Sequence, residues 1–215
     1  RRWLAGCSNG SRGLFGGGYN VNYISYVTIA TEGNSQDFGD LTVNRYALGA
    51  CSSNTRGTFA CDDSGGADGR SIDYVTIAST GNASDFGDLT TEYYNLAGLA
   101  SNSRGVYGGG TGPSTYDNAM EYITMASTGN ASSFGTLTQG RKSLASCDND
   151  TRGCFAGGEY TGNTNSNIID YITIASTGNA TDFGDTVGVD CFGAAGGSDS
   201  DHGVSGIDRG VFGGG

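Results

Sequence analysis

Proline, lysine, histidine and tryptophan occur once each in this 215-residue chain, as Pro113, Lys142, His202 and Trp3. One histidine leaves a Ser-His-Asp or Cys-His nucleophile, or a metal enzyme, without the bases and ligands it needs, so no catalytic residue is assigned. Basic side chains are scarce as well, 11 against 22 acidic ones, and the net charge of −11 is spread along the chain. Phosphate backbones and anionic membrane surfaces are held by clustered Lys and Arg, so neither nucleic acid nor a membrane is expected as a partner. Nor does any apolar run approach the ~18 residues of a membrane span or carry signal-peptide flanks. The sequence therefore reads as a soluble domain. It opens at Arg1 with a repeat already under way, which suggests part of a longer polypeptide.

What is abundant is glycine, 40 residues in all, set at regular intervals. The pattern Arg-Gly-x-aromatic followed by small residues starts at Arg12, Arg56, Arg104, Arg152 and Arg209. A second pattern, Tyr-(Val/Ile)-Thr-(Ile/Met)-Ala, starts at Tyr26, Tyr74, Tyr122 and Tyr171. A Gly-Asn turn and a segment of the DFGDLT type follow it each time. Internal periodicity of this length marks a repeat architecture. The repeats are placed at 1–44, 45–91, 92–140, 141–188 and, as a half unit, 189–215.

Four strands per unit are expected: a short one rich in small residues (Leu4 to Cys7 and its counterparts), the Arg-Gly-x-Phe strand, the β-branched YVTIA strand, and one carrying Phe38, Phe86, Phe134 or Phe183. Neither face of the third strand is strongly polar, so both faces need cover. Four-stranded antiparallel sheets stacked on copies of themselves are the blades of a β-propeller. Glycines are expected to crowd its centre and aromatics to fill the widening gaps outside. Eighteen strands make four complete blades and a half, about five in all, and a larger ring stays open.

Six cysteines do not form a repeated framework, because Cys7, Cys51 and Cys147 recur where Leu99 stands in the third unit. Buried free thiols are expected, with a Cys147–Cys154 bridge across a hairpin left open. Asp37, Asp85 and Asp182 are expected to cap the turn before the fourth strand. The repeated Arg12, Arg56, Arg104, Arg152 and Arg209 are expected to pair with an acid of the same blade, since Asp73, Glu121 and Asp170 recur just before the third strand. The Asp runs at 62–68 and 199–201 offer oxygens to Ca²⁺ but lack EF-hand spacing, so no cofactor is assigned.

Paired glycines (Gly16-Gly17, Gly108-Gly109, Gly157-Gly158), the following tyrosine, and the later Phe38 and Leu41 with their counterparts resemble the kelch repeat family, with phenylalanine replacing the usual tryptophan. That resemblance implies a kelch-like β-propeller. An oxidase of the kelch-containing type would need a copper site of His, Tyr and Cys, for which one histidine is poor material. The wording YITIASTGNATDFGDLT with RGVFGGG looks like tandem repeats in structural proteins of tailed phages, particularly those of cyanobacteria. This second resemblance implies a virion component, extracellular in its action.

The connection between second and third strands varies in length and wording while the strands barely change, and it carries Tyr, Asn, Ser and Asp. Loops of this kind bind ligands by stacking and hydrogen bonding. Tyr19, Asn20, Asp68, Arg70, Tyr116, Asn118, Tyr160, Asn163 and Asn165 are the candidate contacts. The expected partner is a host surface glycan or protein, or a neighbouring virion protein. A purely structural assembly role, with copies joined as a homo-oligomer, is the alternative. The insertion near Gly196 to Ile207 is expected on the opposite face.

Overall fold

The structure is a computed structural model and describes residues 1–62, 67–112, 116–162, 164–187, 195–197 and 211–213, with only the backbone described at 67–68 and in the last two stretches. The first unit holds β1 (Ala5–Ser8), β2 (Arg12–Gly16), β3 (Tyr23–Thr28) and β4 (Gln36–Asp40). The second holds β5 (Gly49–Ser52), β6 (Arg56–Ala60), β7 (Ser71–Thr76) and β8 (Ser84–Asp88), with a 3-10 turn at Ala67–Arg70 before β7. The third holds β9 (Ala97–Ala100), β10 (Arg104–Gly108), β11 (Ala119–Thr124) and β12 (Ser132–Thr136). The fourth holds β13 (Ala145–Asp148), β14 (Arg152–Ala156), a small hairpin β15 (Glu159–Tyr160) and β16 (Thr164–Asn165), then β17 (Ile168–Thr173) and β18 (Thr181–Asp185). A half unit follows as β19 (Ala195–Gly197) and β20 (Val211–Gly213). Each full unit is an antiparallel sheet whose strands follow chain order.

Local chemistry closes these sheets. In the first turn the Asn9 side-chain oxygen accepts the Ser11 and Arg12 N–H groups, at 3.2 and 3.0 Å, and Asn149 repeats this before β14. Each third strand slips register against the fourth at one place, opposite a glycine with φ between 137° and 156°. Asp85 and Asp182 accept the N–H of those glycines, Gly87 and Gly184, at 3.1 and 2.9 Å. These aspartates therefore stabilise a β-bulge inside the strand and do not cap the turn before it.

The first strands of successive sheets touch one another, β1 against β5, β5 against β9, β9 against β13, and β13 against β19. Buried apolar residues fall into three clusters, each shared by two neighbouring sheets and none central to the whole. Sheets stacked in this way are β-propeller blades, four complete and a fifth represented by two strands. The expected gradient from small residues inside to large ones outside needs correcting. Phe59 of β6 presses into the slot left by Gly16 of the preceding blade, whose added β-carbon would lie 2.6 Å from its ring, and a β-carbon added at outer-strand Gly87 would lie 2.6 Å from the Gly129 backbone. Large and small side chains interlock at every radius, because close-packed blades leave no voids to fill.

Three sets of hydrogen bonds tie blade to blade. Ala47, Asn95 and Ser143 adopt positive φ, as does Trp3, and each donates its N–H to the preceding member of this series, at 2.7 to 3.0 Å. At the outer edge, Gly81 and Ala83 donate to the carbonyls of Phe38 and Asp40, and the Asn82 side chain accepts the Asp40 N–H. The Gly129 to Ala131 and Gly178 to Ala180 turns repeat this clamp on β8 and β12.

The third set is ionic, and its partners differ from expectation. Asp73 takes Arg45 at 3.0 Å and the Thr42 N–H and hydroxyl, and Asp170 takes Arg141 at 2.9 Å together with Thr138, both ion pairs being buried. Glu121 takes Thr90, with Tyr93 standing where the other units have arginine. Burial pushes the Asp73 carboxyl up despite Arg45 and Thr42, and lowers the Arg141 guanidinium. Arg12, Arg56, Arg104 and Arg152 instead stack on Tyr26, Tyr74, Tyr122 and Tyr171, at 4.3 to 4.8 Å. The first three also donate to a carbonyl of the next blade, Ile77, Met125 or Ile174. These arginines already lie on a ring of their own blade, so the acids fall to residues arriving from the preceding connection. Arg209 lies outside the described residues.

Cys7, Cys51, Cys61, Cys147 and Cys154 are free thiols. Cys147 and Cys154 face each other in register without a bridge, and their mutual hydrogen bond raises the former and lowers the latter.

Candidate functional site on the loop face

Strand order places the connections β2–β3, β6–β7, β10–β11 and β14–β17 at the same end of every blade as the straps that link one blade to the next. Variable loops and straps therefore build one face together. The strap position Arg2, Tyr94 and Lys142 meets the loop position Tyr19, Thr111 and Glu159 in the first, third and fourth units. Backbone bonds fix this pairing: Tyr19 N–H donates to the Arg2 carbonyl at 3.1 Å, Thr111 to Tyr94 at 2.9 Å, and Glu159 to Lys142 at 2.9 Å.

Two clusters result. In the first, Trp3, Tyr19 and Tyr46 are in mutual ring contact with centroids 5.3 to 5.9 Å apart, and the Arg2 guanidinium lies 4.5 Å over Trp3 and 4.6 Å over Tyr19. Trp3 is 52% exposed and Tyr19 45%, which places them among the exposed large hydrophobic side chains of the chain. In the second, Lys142 lies 3.4 Å from Glu159 and 5.1 Å over the Tyr116 ring, while the Tyr116 hydroxyl donates to Glu159.

The candidate residues divide accordingly. Tyr19 and Tyr116 enter the two clusters. Asn20 is exposed in a tight turn at φ 60°, closed by the Val21 N–H to Gly18 carbonyl bond. Arg70 and Asn118 are exposed, and their carbonyls accept the N–H of Leu89 and Leu137, so their backbones anchor the fourth strand. Tyr160 and Asn165 are half-buried on the β15–β16 hairpin, which the sequence reading took for plain loop. Asn163 and the Asp68 side chain lie outside the described residues, as do His202 and the Asp199–Asp201 run. So does the 198–207 portion of the long insertion.

Arg2, Trp3 and Tyr46 were missed because the straps were read as blade boundaries. The lone tryptophan, sitting where other units have Ala, Asn or Ser, was the available signal. Asp62 is buried with its carboxylate accepting the Tyr46 N–H at 3.1 Å, so it serves the strap. Among the described residues no group of three or more His, Cys, Asp or Glu is placed to hold a metal ion.

No protein-family model matches the chain. No curated protein matches it either. Among solved structures it is similar to the one described as the structure of YjhT, with a TM-score of 0.69 over 86% of this chain at 7% identity. That likeness is one of fold, and this chain spans 65% of the length of that one.

Proposed function

We propose that this propeller is a non-enzymatic module of a tailed-phage appendage that binds a host surface component, or a neighbouring virion protein, through its loop face. The observation that carries the reading is the division of labour between strands and loops. Strands repeat nearly unchanged, while the connections that share a face with the straps differ in every unit and hold exposed rings. A rigid scaffold presenting variable loops is the usual arrangement of a binding surface. The phage-like repeat supplies the class of partner.

Labelled protein incubated with cyanobacterial cell envelopes tests this. Saturable binding that falls in Tyr19→Ala or Tyr160→Ala is expected, and binding indifferent to every loop substitution counts against it. A structural assembly role is favoured by one observation, the exposure of Phe15 and Phe183 on the outward faces of the first and fourth blades. Native mass spectrometry separates the two, since assembly requires discrete higher-order species at micromolar concentration.

A further inference from the structure

We infer that Arg2, Trp3, Tyr19 and Tyr46 form a binding site for a saccharide bearing a carboxylate, an inference that deepens the host-surface reading above and rests on it. Comparison of two structurally equivalent positions carries the argument. In the fourth unit they hold a cation and an acid, Lys142 and Glu159, which pair with each other at 3.4 Å. In the first unit the cation remains as Arg2 and the acid is replaced by Tyr19, joined through the same backbone bond. The fourth-unit cation is neutralised from within. The Arg2 guanidinium makes no hydrogen bond and no ion pair among the described residues.

Arg2 is nevertheless positioned. Its guanidinium carbon lies within 4.6 Å of the ring centroids of both Trp3 and Tyr19, which confines a side chain that otherwise carries about 2 kcal/mol of rotamer entropy. A guanidinium held against rings at an exposed residue keeps N–H groups open to solvent, and the guanidinium fork fits a carboxylate through two parallel bonds. Arg12, Arg56 and Arg104 also lack an acid partner but donate to a carbonyl of the next blade, whereas the Arg2 guanidinium has neither acid nor carbonyl among the described residues. The counter-charge belongs to the ligand.

The surroundings specify a sugar and not a bare anion. Trp3 and Tyr19 expose about half their surface beside the guanidinium, offering ring faces and edges to the C–H face of a pyranose. The Trp3 indole N–H and the Tyr19 hydroxyl have no hydrogen-bond partner among the described residues, so both are available to sugar hydroxyls. Trp3 sits at φ 58°, a conformation that Ala47, Asn95 and Ser143 share in the other straps. The turn is thus general to the fold, and placing an indole on it is particular to this site.

Trp3 is the chain's only tryptophan, so its emission reports this site alone. Titration with trigalacturonate is expected to give a saturable emission change, with maltotriose and inorganic phosphate at least about tenfold weaker. Arg2→Gln, at an exposed residue, is expected to weaken trigalacturonate by about tenfold or more without moving the unfolding midpoint. Tyr19→Ala is expected to weaken it similarly. No saturable change through about 10 mM trigalacturonate, equal affinity in Arg2→Gln, or phosphate binding as tightly as the uronate would each overturn the inference. Envelope binding that survives Arg2→Gln but is lost in Tyr160→Ala defeats this site and leaves the broader function standing. Absence of any envelope binding defeats the broader function, while the Trp3 titration still decides the site.

Discussion

A β-carbon added at Gly98 would lie 2.6 Å from the Ala50 carbonyl oxygen of the neighbouring blade, backbone that cannot swing aside. At Gly13 the only neighbour is a Val27 methyl at 3.4 Å, an ordinary contact. Gly98→Ala is therefore expected to cost about 1–3 kcal/mol, as overpacking does, and Gly13→Ala to stay within about 0.5 kcal/mol. Urea midpoints at fixed slope measure both, and equal losses would dissociate glycine from blade contact. The Arg45–Asp73 pair gives a second test at this scale. Because burial holds the Asp73 carboxyl above its ordinary value, the folded state binds more protons than the unfolded one between the two pKa values. Stability from this group is thus full at low pH and falls as pH rises from the ordinary carboxylate value through the raised one. The advantage of wild type over Asp73→Asn should shrink across that interval, and a widening gap would show that Arg45 outweighs burial. Such pairings were hard to read from the sequence. Both partners were visible, but the choice between Arg56 of the same blade and Arg45 depended on which guanidinium already lay on a ring, a matter of three-dimensional competition.

Strands and their order were legible because two independent patterns, glycine spacing and β-branched alternation, marked the same elements four times over. Turns were legible only as turns. The Gly-Asn-Ala segment read as a local device, and its side chain proves to bind the previous blade, as Asn82 does in accepting the Asp40 N–H at 3.1 Å. Asn34 occupies the same place in the first unit, where it is exposed with no hydrogen-bond partner among the described residues. Asn82→Ala is expected to lose about 0.5–1.5 kcal/mol through one unmade bond. Asn34→Ala should change nothing measurable, and thermal unfolding of the two variants side by side checks the difference. A comparable loss in both would mean that the asparagine acts within its own turn. The straps show the opposite failure of reading. They look like linkers in the sequence, yet Arg2 and Trp3 belong to an exposed cation–aromatic cluster on the loop face.

Among the described residues the buried apolar clusters are each shared by two neighbouring blades, so stability is expected to behave as a sum of blade terms and interface terms. The fourth-strand phenylalanine isolates an interface term, because the same residue recurs buried in the third unit and exposed in the fourth. Phe134 is buried against the fourth unit, and each ring of this kind removes roughly 150–250 Å² from water. Phe183 occupies the same strand position, packs edge-on to Tyr171 at 6.0 Å as Phe134 does to Tyr122 at 6.2 Å, and is still 57% exposed. Intrablade contact is therefore nearly constant, and only the neighbour differs. Phe134→Ala is expected to cost about 3–5 kcal/mol, the range for a buried aromatic, and Phe183→Ala under about 1 kcal/mol. Chemical denaturation of both variants reads the interface directly. If Phe183→Ala destabilises as much as Phe134→Ala, the aromatic pair within the blade is the source of cohesion. Blade stacking would then be a consequence of the fold and not its cause.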